Sequence, residues 1–127
     1  MAVTPERYAQ NLHKFRMNGR EIFKVAVRTL TEFARNQLIR NGFSIDDLDW
    51  FVPHQANRRI IEAVAARLEL PMNKVLINLD RFGNTSSATV PTVLDEAVRD
   101  GRVQRGQLLL MDAFGAGLTF GAILLRW

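Results

Sequence analysis

Residues 50–61 read WFVPHQANRRII, a stretch that indicates a strand followed directly by a helix. The segment Trp50–Pro53 is wholly apolar, which is typical of a parallel strand buried on both faces. The apolar residues that follow recur at three- and four-residue spacing and predict a helix with one buried face: Ile60, Ile61, Val64, Ala65 and Leu68. Because ligands bind at the carboxyl ends of parallel strands, the loop at His54 is a candidate site.

The residues on either side of this stretch repeat the alternation of helix and strand. Apolar spacing predicts a helix from Arg20 to Gln37, which the Asn41-Gly42 pair ends. Residues Val75 to Leu79 are predicted as a short strand. A further helix should follow the polar run after Gly83 and end at Asp100-Gly101. Its apolar face consists of Val90, Val93, Leu94, Ala97 and Val98.

The C-terminal segment indicates a hairpin. Two apolar runs, Gln107–Phe114 and Leu118–Leu125, are joined by Gly115-Ala116-Gly117, as in an antiparallel pair with a short turn. The chain is therefore predicted to be α/β, with a mixed sheet containing parallel strands, a C-terminal antiparallel hairpin and covering helices. Residues 17–127 form one domain, and the weakly patterned residues 1–16 are expected to be an irregular lead-in or a segment added for expression.

Composition narrows the classes of function. The 127 residues are 47% hydrophobic and contain no cysteine, which excludes disulfides, thiolate metal sites and a thiol nucleophile within the chain. Two histidines predict no metal cluster. The net charge of +4 favours acidic partners, but the arginines form no stripe, so nucleic-acid binding is not predicted. Since no apolar run approaches the about 18 residues of a membrane span, we expect a soluble cytoplasmic protein that does not bind membranes.

Three places contain residues that folding alone does not require. His54 follows the buried strand, although a half-buried histidine bonded to a neighbouring loop is the alternative interpretation. Asn84 follows Gly83 at the entrance to a helix, where it could equally be a capping or turn residue. The glycines of Phe114–Gly117 allow backbone N–H groups to approach a ligand, and a hairpin turn explains them equally well.

Arg58 and Arg59 are placed unfavourably for stability. They fall in the first turn of the predicted helix, where the helix dipole disfavours cations by roughly 0.3 to 1 kcal/mol each. A polyanionic partner would explain their position, and two solvated surface arginines are the alternative.

The order of the motifs in one chain is more specific than any one of them. They are Met17–Phe23, His54–Asn57 (HQAN), Gly83–Ala88 (GNTSSA), Leu94–Gly101, Ala113–Gly117 (AFGAG) and Phe120-Gly121. The set resembles the C-terminal half of the thiolase-like condensing enzymes, specifically the β-ketoacyl-acyl carrier protein synthase III family. The resemblance covers residues from about 17 to 127 and implies a thiolase-like half-domain.

The resemblance implies an acyltransferase that initiates fatty acid biosynthesis without a cofactor beyond its substrates. In the family an acyl-coenzyme A acylates a cysteine, and malonyl-acyl carrier protein then decarboxylates to an enolate that attacks the acyl group. His54 and Asn84 would be the neutral donors to the enolate oxygen, an arrangement that suits a carboxamide and a neutral imidazole. The backbone N–H of Ala116 would belong to the oxyanion hole for the acyl group.

The resemblance also implies binding residues and partners. The pantetheine arm of coenzyme A would contact positions spread over the chain: Gly19, Arg20, Phe23, Ala56, Asn57 and Phe114. Arg20 stands where the family commonly has asparagine, and a basic residue there would suit a phosphate. Arg59 matches an arginine that docks the acidic acyl carrier protein, with Arg58 a weaker candidate.

The missing cysteine implies that the chain is one half of a larger protein. The nucleophile of the family lies in an N-terminal half, so we expect the chain alone to be inactive. We also expect it to form a homodimer, since the missing half would leave apolar surface uncovered. The alternatives are a chalcone-synthase-like (plant-type) polyketide synthase half, a hydroxymethylglutaryl-coenzyme A synthase and a non-catalytic module that binds acyl carrier protein. A purely structural domain would require His54 and Asn84 to lie far apart.

Overall fold

A computed structural model describes residues 3–14 and 17–127 of the chain. Its helices are α1 (Pro5–Ala9), α2 (Gly19–Arg40), α3 (Arg58–Leu68), α4 (Leu79–Phe82) and α5 (Thr89–Arg99). Its strands are β1 (Trp50–Pro53), β2 (Leu108–Gly115) and β3 (Thr119–Arg126), and short 3₁₀ turns lie at Met72–Lys74 and Ser86–Ala88.

The three strands form one mixed sheet in the order β1-β2-β3. Strand β1 pairs with β2 in parallel, with Trp50 opposite Leu109 and Pro53 opposite Asp112. Strands β2 and β3 form an antiparallel hairpin in which Phe114 lies opposite Phe120. The predicted α/β class, the mixed sheet and the C-terminal hairpin are confirmed.

The predicted strand Val75–Leu79 is wrong. Only Val75 bridges β1, opposite Phe51, and Leu79 already begins α4. The reason is that the Asn78 N–H, which a strand would use in its ladder, donates instead to the Gln55 Oε1 at 3.1 Å.

Two apolar clusters lie on opposite faces of the sheet. Helices α2 and α3 cover one face, where their residues pack around Phe51 and Leu110. Helix α5 covers the other face, where Val93 and Ala97 pack against Val52 and Leu109. The long α2 begins at an Asn18 cap and ends at Asn41, before Gly42 at a φ of 76°, as the sequence predicts.

Helix α3 buries the face that its apolar spacing predicts. All five residues of that face are buried: Ile60, Ile61, Val64, Ala65 and Leu68. The Asn57 side chain caps the helix by accepting the Arg59 N–H at 2.9 Å. The helix ends at Glu69, which takes a left-handed φ of 60°. The start of α3 therefore lies directly beyond the end of β1.

The predicted lead-in, residues 1–16, contains one short helix in its described part. Residues 5–9 form α1, because the Thr4 hydroxyl caps the helix and Pro5 occupies its first turn, where a missing N–H costs nothing. Within residues 3–14 and 17–127, no helix is long and apolar enough to cross a membrane. The same residues bring no three metal-ligating side chains of the His, Cys, Asp or Glu type together.

Candidate active site

A cavity of about 370 Å³ lies beyond the carboxyl end of β1, between the starts of α2 and α3 and the turn of the β2–β3 hairpin. Eight of the residues singled out from the sequence line it: Gly19, Phe23, His54, Ala56, Asn57, Asn84, Phe114 and Ala116. Segments that are distant in sequence thus meet at one pocket. His54 and Asn84 therefore do not lie far apart, as a purely structural domain would require.

Gln55 holds the loop that carries His54. Its side chain is fully buried, and its Nε2 donates to the carbonyl oxygens of Pro53 at 2.7 Å and Leu76 at 3.2 Å. Its Oε1 accepts the Asn78 N–H. These bonds join Gln55 to the end of β1 and to the segment that contains Leu76 and Asn78. The backbone next to His54 is therefore fixed in place, and His54 lines the cavity.

His54 is half-buried and contacts two neighbours through its ring. Its Nδ1 lies 2.5 Å from the Thr89 hydroxyl oxygen, and its ring meets the Phe114 ring edge-on at 5.7 Å between centroids. Burial lowers the pKa of His54 below its ordinary 6.5. The imidazole is therefore neutral at pH 7, with Nε2 free of any partner in the described part of the chain.

The oxygen and the nitrogen of the Asn84 carboxamide differ in their hydrogen bonding. Gly83 has a φ of 67°, which favours glycine, and turns the chain so that Asn84 lines the cavity. The Oδ1 of Asn84 accepts the Ser86 N–H at 3.1 Å. Within residues 3–14 and 17–127 its Nδ2 has no partner, so the N–H groups remain available as donors. Asn84 is therefore a turn residue, as the alternative interpretation holds, and a cavity donor as well.

The hairpin turn brings backbone to the cavity. Ala116 lines the pocket, and its neighbour Gly117 has a φ of 147°. A Cβ at Gly117 would lie 2.7 Å from the Thr119 hydroxyl oxygen and 3.0 Å from the Thr119 nitrogen. The turn therefore requires glycine at position 117 and tolerates alanine at position 116.

The three arginines predicted to bind ligands are placed differently. Arg59 sits over the Phe23 ring, 5.8 Å from its centroid, and so lies beside the cavity wall. Arg58 forms an exposed ion pair with Glu62 at 2.8 Å. Arg20 is exposed in the first turn of α2 and does not line the cavity. None of these arginines lines the cavity, and Arg59 lies next to it through its contact with Phe23.

Sequence reasoning missed part of the site. The apolar wall also includes Met17, Ile22, Ile60 and Leu118, none of which was predicted to contact a ligand. It missed Thr89, which contacts His54 and is one residue beyond the GNTSSA motif. It also missed Asp112, an acidic residue inside the apolar run LLLMDAF, which is the pattern that could have revealed it.

Asp112 is the one buried carboxyl group in the described residues that has no hydrogen-bond partner on either oxygen. Burial raises its pKa from 3.8 to about 8. It lies on β2, two residues before Phe114, and its backbone carbonyl oxygen accepts the His54 N–H at 2.8 Å. At neutral pH this carboxyl group is therefore mostly protonated and uncharged.

Comparison with known proteins supports the resemblance. Beta-ketoacyl-[acyl-carrier-protein] synthase III of Xanthomonas euvesicatoria pv. vesicatoria is 60% identical over 111 residues, which are 87% of this chain and 34% of that protein. Synthase III 1 of Vibrio vulnificus strain YJ016 is 54% identical over 123 of the 127 residues and is covered to 39%, so the similarity extends into residues 1–16. The chain thus spans little more than a third of the length of these relatives.

Solved structures agree on the fold. The chain superimposes on 3-oxoacyl-[acyl-carrier-protein] synthase III of Aquifex aeolicus with a TM-score of 0.89 and 49% identity, covering 92% of this chain and 38% of that one. The enzyme of Pseudomonas aeruginosa gives a TM-score of 0.89 and 39% identity, covering 100% of this chain and 38% of that one. The predicted thiolase-like half-domain is therefore confirmed.

A family model described as 3-oxoacyl-[acyl-carrier-protein (ACP)] synthase III C terminal matches residues 38–127. The matched segment includes the loops of both His54 and Asn84. With more than half of the chain matched, and with the sheet and cavity described above, the chain belongs to the C-terminal domain family of the 3-oxoacyl-[acyl-carrier-protein] synthases III.

Proposed function

We propose that the chain supplies the decarboxylation site of a condensing acyltransferase that joins an acyl-coenzyme A primer to malonyl-acyl carrier protein in fatty acid initiation. The proposal rests on one observation: His54 and Asn84 line the same cavity, and in each side chain one polar atom is hydrogen-bonded while the other has no partner among the described residues. The free ends are a ring nitrogen and an amide nitrogen. Two neutral donors at one cavity suit an oxygen that becomes negatively charged during a reaction.

The reaction matches what two such donors can do. When the malonyl thioester loses carbon dioxide, the electron pair of the broken C–C bond forms an enolate whose charge resides largely on the thioester oxygen. Donors that are already in place stabilise this charge by about 2.7 to 4 kcal/mol each in comparable sites. Asn84 cannot titrate and His54 is held neutral by burial, so both keep their hydrogen-bonding roles across the neutral pH range.

The walls of the cavity suit the rest of the substrate. Phe23 and Phe114 present apolar surface that excludes water from a carbanion, which a water molecule would otherwise protonate. Gly19 at the start of α2 and Asn57 at the start of α3 both line the pocket, and we expect a pantetheine arm to lie between them. Ala116 would contribute its backbone N–H to the oxyanion hole for the acyl group.

Condensation requires residues outside this chain. No cysteine is present among the 127 residues, so no acyl-cysteine can form on them. The relatives are almost three times as long as the matched segment. We therefore expect the purified chain alone to yield no condensation product, and we expect it to associate either with the missing N-terminal half or with a second copy.

Arg59 is the proposed contact for acyl carrier protein. In the described part of the chain no carboxylate pairs with its guanidinium, and the residue is exposed beside the cavity wall. An anionic carrier docked there would direct its pantetheine arm past Phe23 into the pocket. A module that only binds acyl carrier protein would use the same arginine and is the second candidate. The chalcone-synthase-like alternative stays a prediction.

The test uses a chimera in which this chain replaces the matching segment of the Xanthomonas euvesicatoria synthase III. We expect the chimera to decarboxylate malonyl-acyl carrier protein and to condense the product with acyl-coenzyme A. His54→Ala and Asn84→Ala should each lower the decarboxylation rate by roughly 10² to 10³.

The matched controls are His13→Ala and Asn36→Ala, which remove the same residue types from exposed positions away from the cavity. They should retain the activity of the parent chimera. If His54→Ala and Asn84→Ala decarboxylate as fast as the controls, the proposed site is wrong. If the chimera binds acyl carrier protein but neither it nor its variants decarboxylate, the binding module is favoured.

A further inference from the structure

The Thr89 hydroxyl lies between two acceptors at the base of the site. Its oxygen is 2.5 Å from the Nδ1 of His54 and 3.0 Å from the carbonyl oxygen of Ser86. Thr89 is only 2% exposed, so water does not compete for these contacts. Because a hydroxyl carries a single hydrogen, it can donate to only one of the two groups at a time.

The choice between these two acceptors decides what His54 presents to the cavity. If the hydroxyl donates to Nδ1, the ring hydrogen is on Nε2, which is then a donor. If the hydroxyl donates to Ser86, it accepts a hydrogen from Nδ1, and Nε2 faces the cavity with a lone pair. A neutral imidazole has one N–H, so these two tautomers are mutually exclusive.

Two observations favour donation to His54. The Ser86 carbonyl already accepts the backbone N–H of Thr89 and does not need the hydroxyl. In the described residues no carboxylate contacts the ring, so nothing else holds a hydrogen on Nδ1.

We propose that Thr89 is a positioning residue that donates its hydroxyl hydrogen to the Nδ1 of His54 and holds the imidazole as the Nε2–H tautomer. The inference rests on the proposed function only for the use of that N–H, which would point at the enolate oxygen. Thr89 is the first residue of α5, and the positive end of the helix dipole opposes a second proton on the ring.

The test measures the tautomer directly. The chain contains only two histidines, His13 and His54, so His13→Ala assigns the resonances of a chain labelled with ¹⁵N-histidine. In long-range ¹H–¹⁵N correlation spectra at a pH above the His54 pKa, we expect hydrogen on Nε2 and a bare Nδ1. Hydrogen on Nδ1 in the unaltered chain would overturn the proposal without any variant, and without reference to catalysis.

Variants provide the second readout. Thr89→Val keeps the shape and removes the hydroxyl, so the His54 signals should move to a mixture of tautomers, while Thr89→Ser should restore the single form. The control is Thr92→Val, which removes another hydroxyl of α5, one that donates to the Ala88 carbonyl oxygen. This variant should leave the His54 tautomer unchanged. If Thr89→Val folds and keeps the tautomer of the unaltered chain, Thr89 does not set it.

In the chimera, Thr89→Val should lower kcat for decarboxylation by at least roughly tenfold with little change in KM, and Thr89→Ser should recover most of the rate. A hydroxyl that served only packing would not give this pattern together with a tautomer change. Loss of the tautomer preference with unchanged kcat would overturn the positioning role while leaving the proposed function standing.

Discussion

The Asp112 carbonyl oxygen accepts the His54 backbone N–H at 2.8 Å, while the Asp112 carboxyl group is buried without a partner among the described residues. The backbone of Asp112 thus anchors the loop that carries His54, and its side chain is a buried acid that the proposed mechanism does not use. Burial is the cause of its raised pKa of about 8.

Stability should therefore fall as the pH rises across the neutral range. The unfolded chain loses the Asp112 proton near pH 3.8, whereas the folded chain keeps it until about pH 8. Between these values the folded state binds more protons, so the free energy of unfolding should fall by up to ~1.4 kcal/mol per pH unit. Urea unfolding at several pH values measures the slope.

Asp112→Asn removes this titration while keeping the shape of the side chain. Between about pH 5 and pH 8, which lies within the window set by the two pKa values, the free energy of unfolding of the variant should depend much less on pH. Near about pH 8 the variant should be more stable than the unaltered chain. Asp46→Asn, at an exposed position, is the matched control. Equal slopes in the unaltered chain and in Asp112→Asn would contradict the assignment.

Gln55 should be a major determinant of stability at the site. Gln55→Ala removes three hydrogen bonds and leaves the buried Pro53 carbonyl and Asn78 N–H without partners. We expect a loss of about 2 to 4 kcal/mol in the free energy of unfolding. Gln37→Ala on α2 is the control and should change it by less than about 0.5 kcal/mol. A similar loss in both variants would show that the loop does not depend on Gln55.

The hairpin turn should distinguish two adjacent small residues. Gly117→Ala places a Cβ against Thr119 at a φ of 147° and should destabilise the chain by about 1 to 3 kcal/mol. Ala116→Gly should cost much less, because position 116 has no such constraint. Thermal unfolding of both variants measures the difference. Equal unfolding temperatures would show that the turn can adopt another backbone conformation.

Arg59 and Arg58 should differ in their effect on carrier binding. In the chimera, Arg59→Ala should weaken binding of acyl carrier protein by roughly tenfold and reduce its salt dependence, because a cation beside the pocket is lost. Arg58→Ala should have a smaller effect, since Glu62 already neutralises Arg58. Calorimetric titration at two salt concentrations measures both. A larger loss for Arg58→Ala would relocate the docking surface.

Local patterns were sufficient for most of the elements. The apolar spacing of α3 depends only on the geometry of a helix, so it predicted all five buried residues of that face. The strand β1 and the hairpin follow in the same way from short apolar runs and glycine turns. The pattern was wrong at Val75–Leu79 because the Gln55 side chain, distant in sequence, takes the hydrogen bond of Asn78.

The absence of a nucleophile and the presence of the two donor-bearing motifs are properties of composition and residue order, and they need no coordinates. The tertiary structure, in contrast, decides which of these side chains contact one another. The contact of His54 with Thr89 joins residues 35 positions apart, and Asp112 is buried on the central strand of the sheet. The hydrogen bonding between Thr89 and His54, the tautomer of His54 and the desolvation of Asp112 all depend on such non-local packing. The tertiary structure therefore decides them, and local sequence patterns do not predict them.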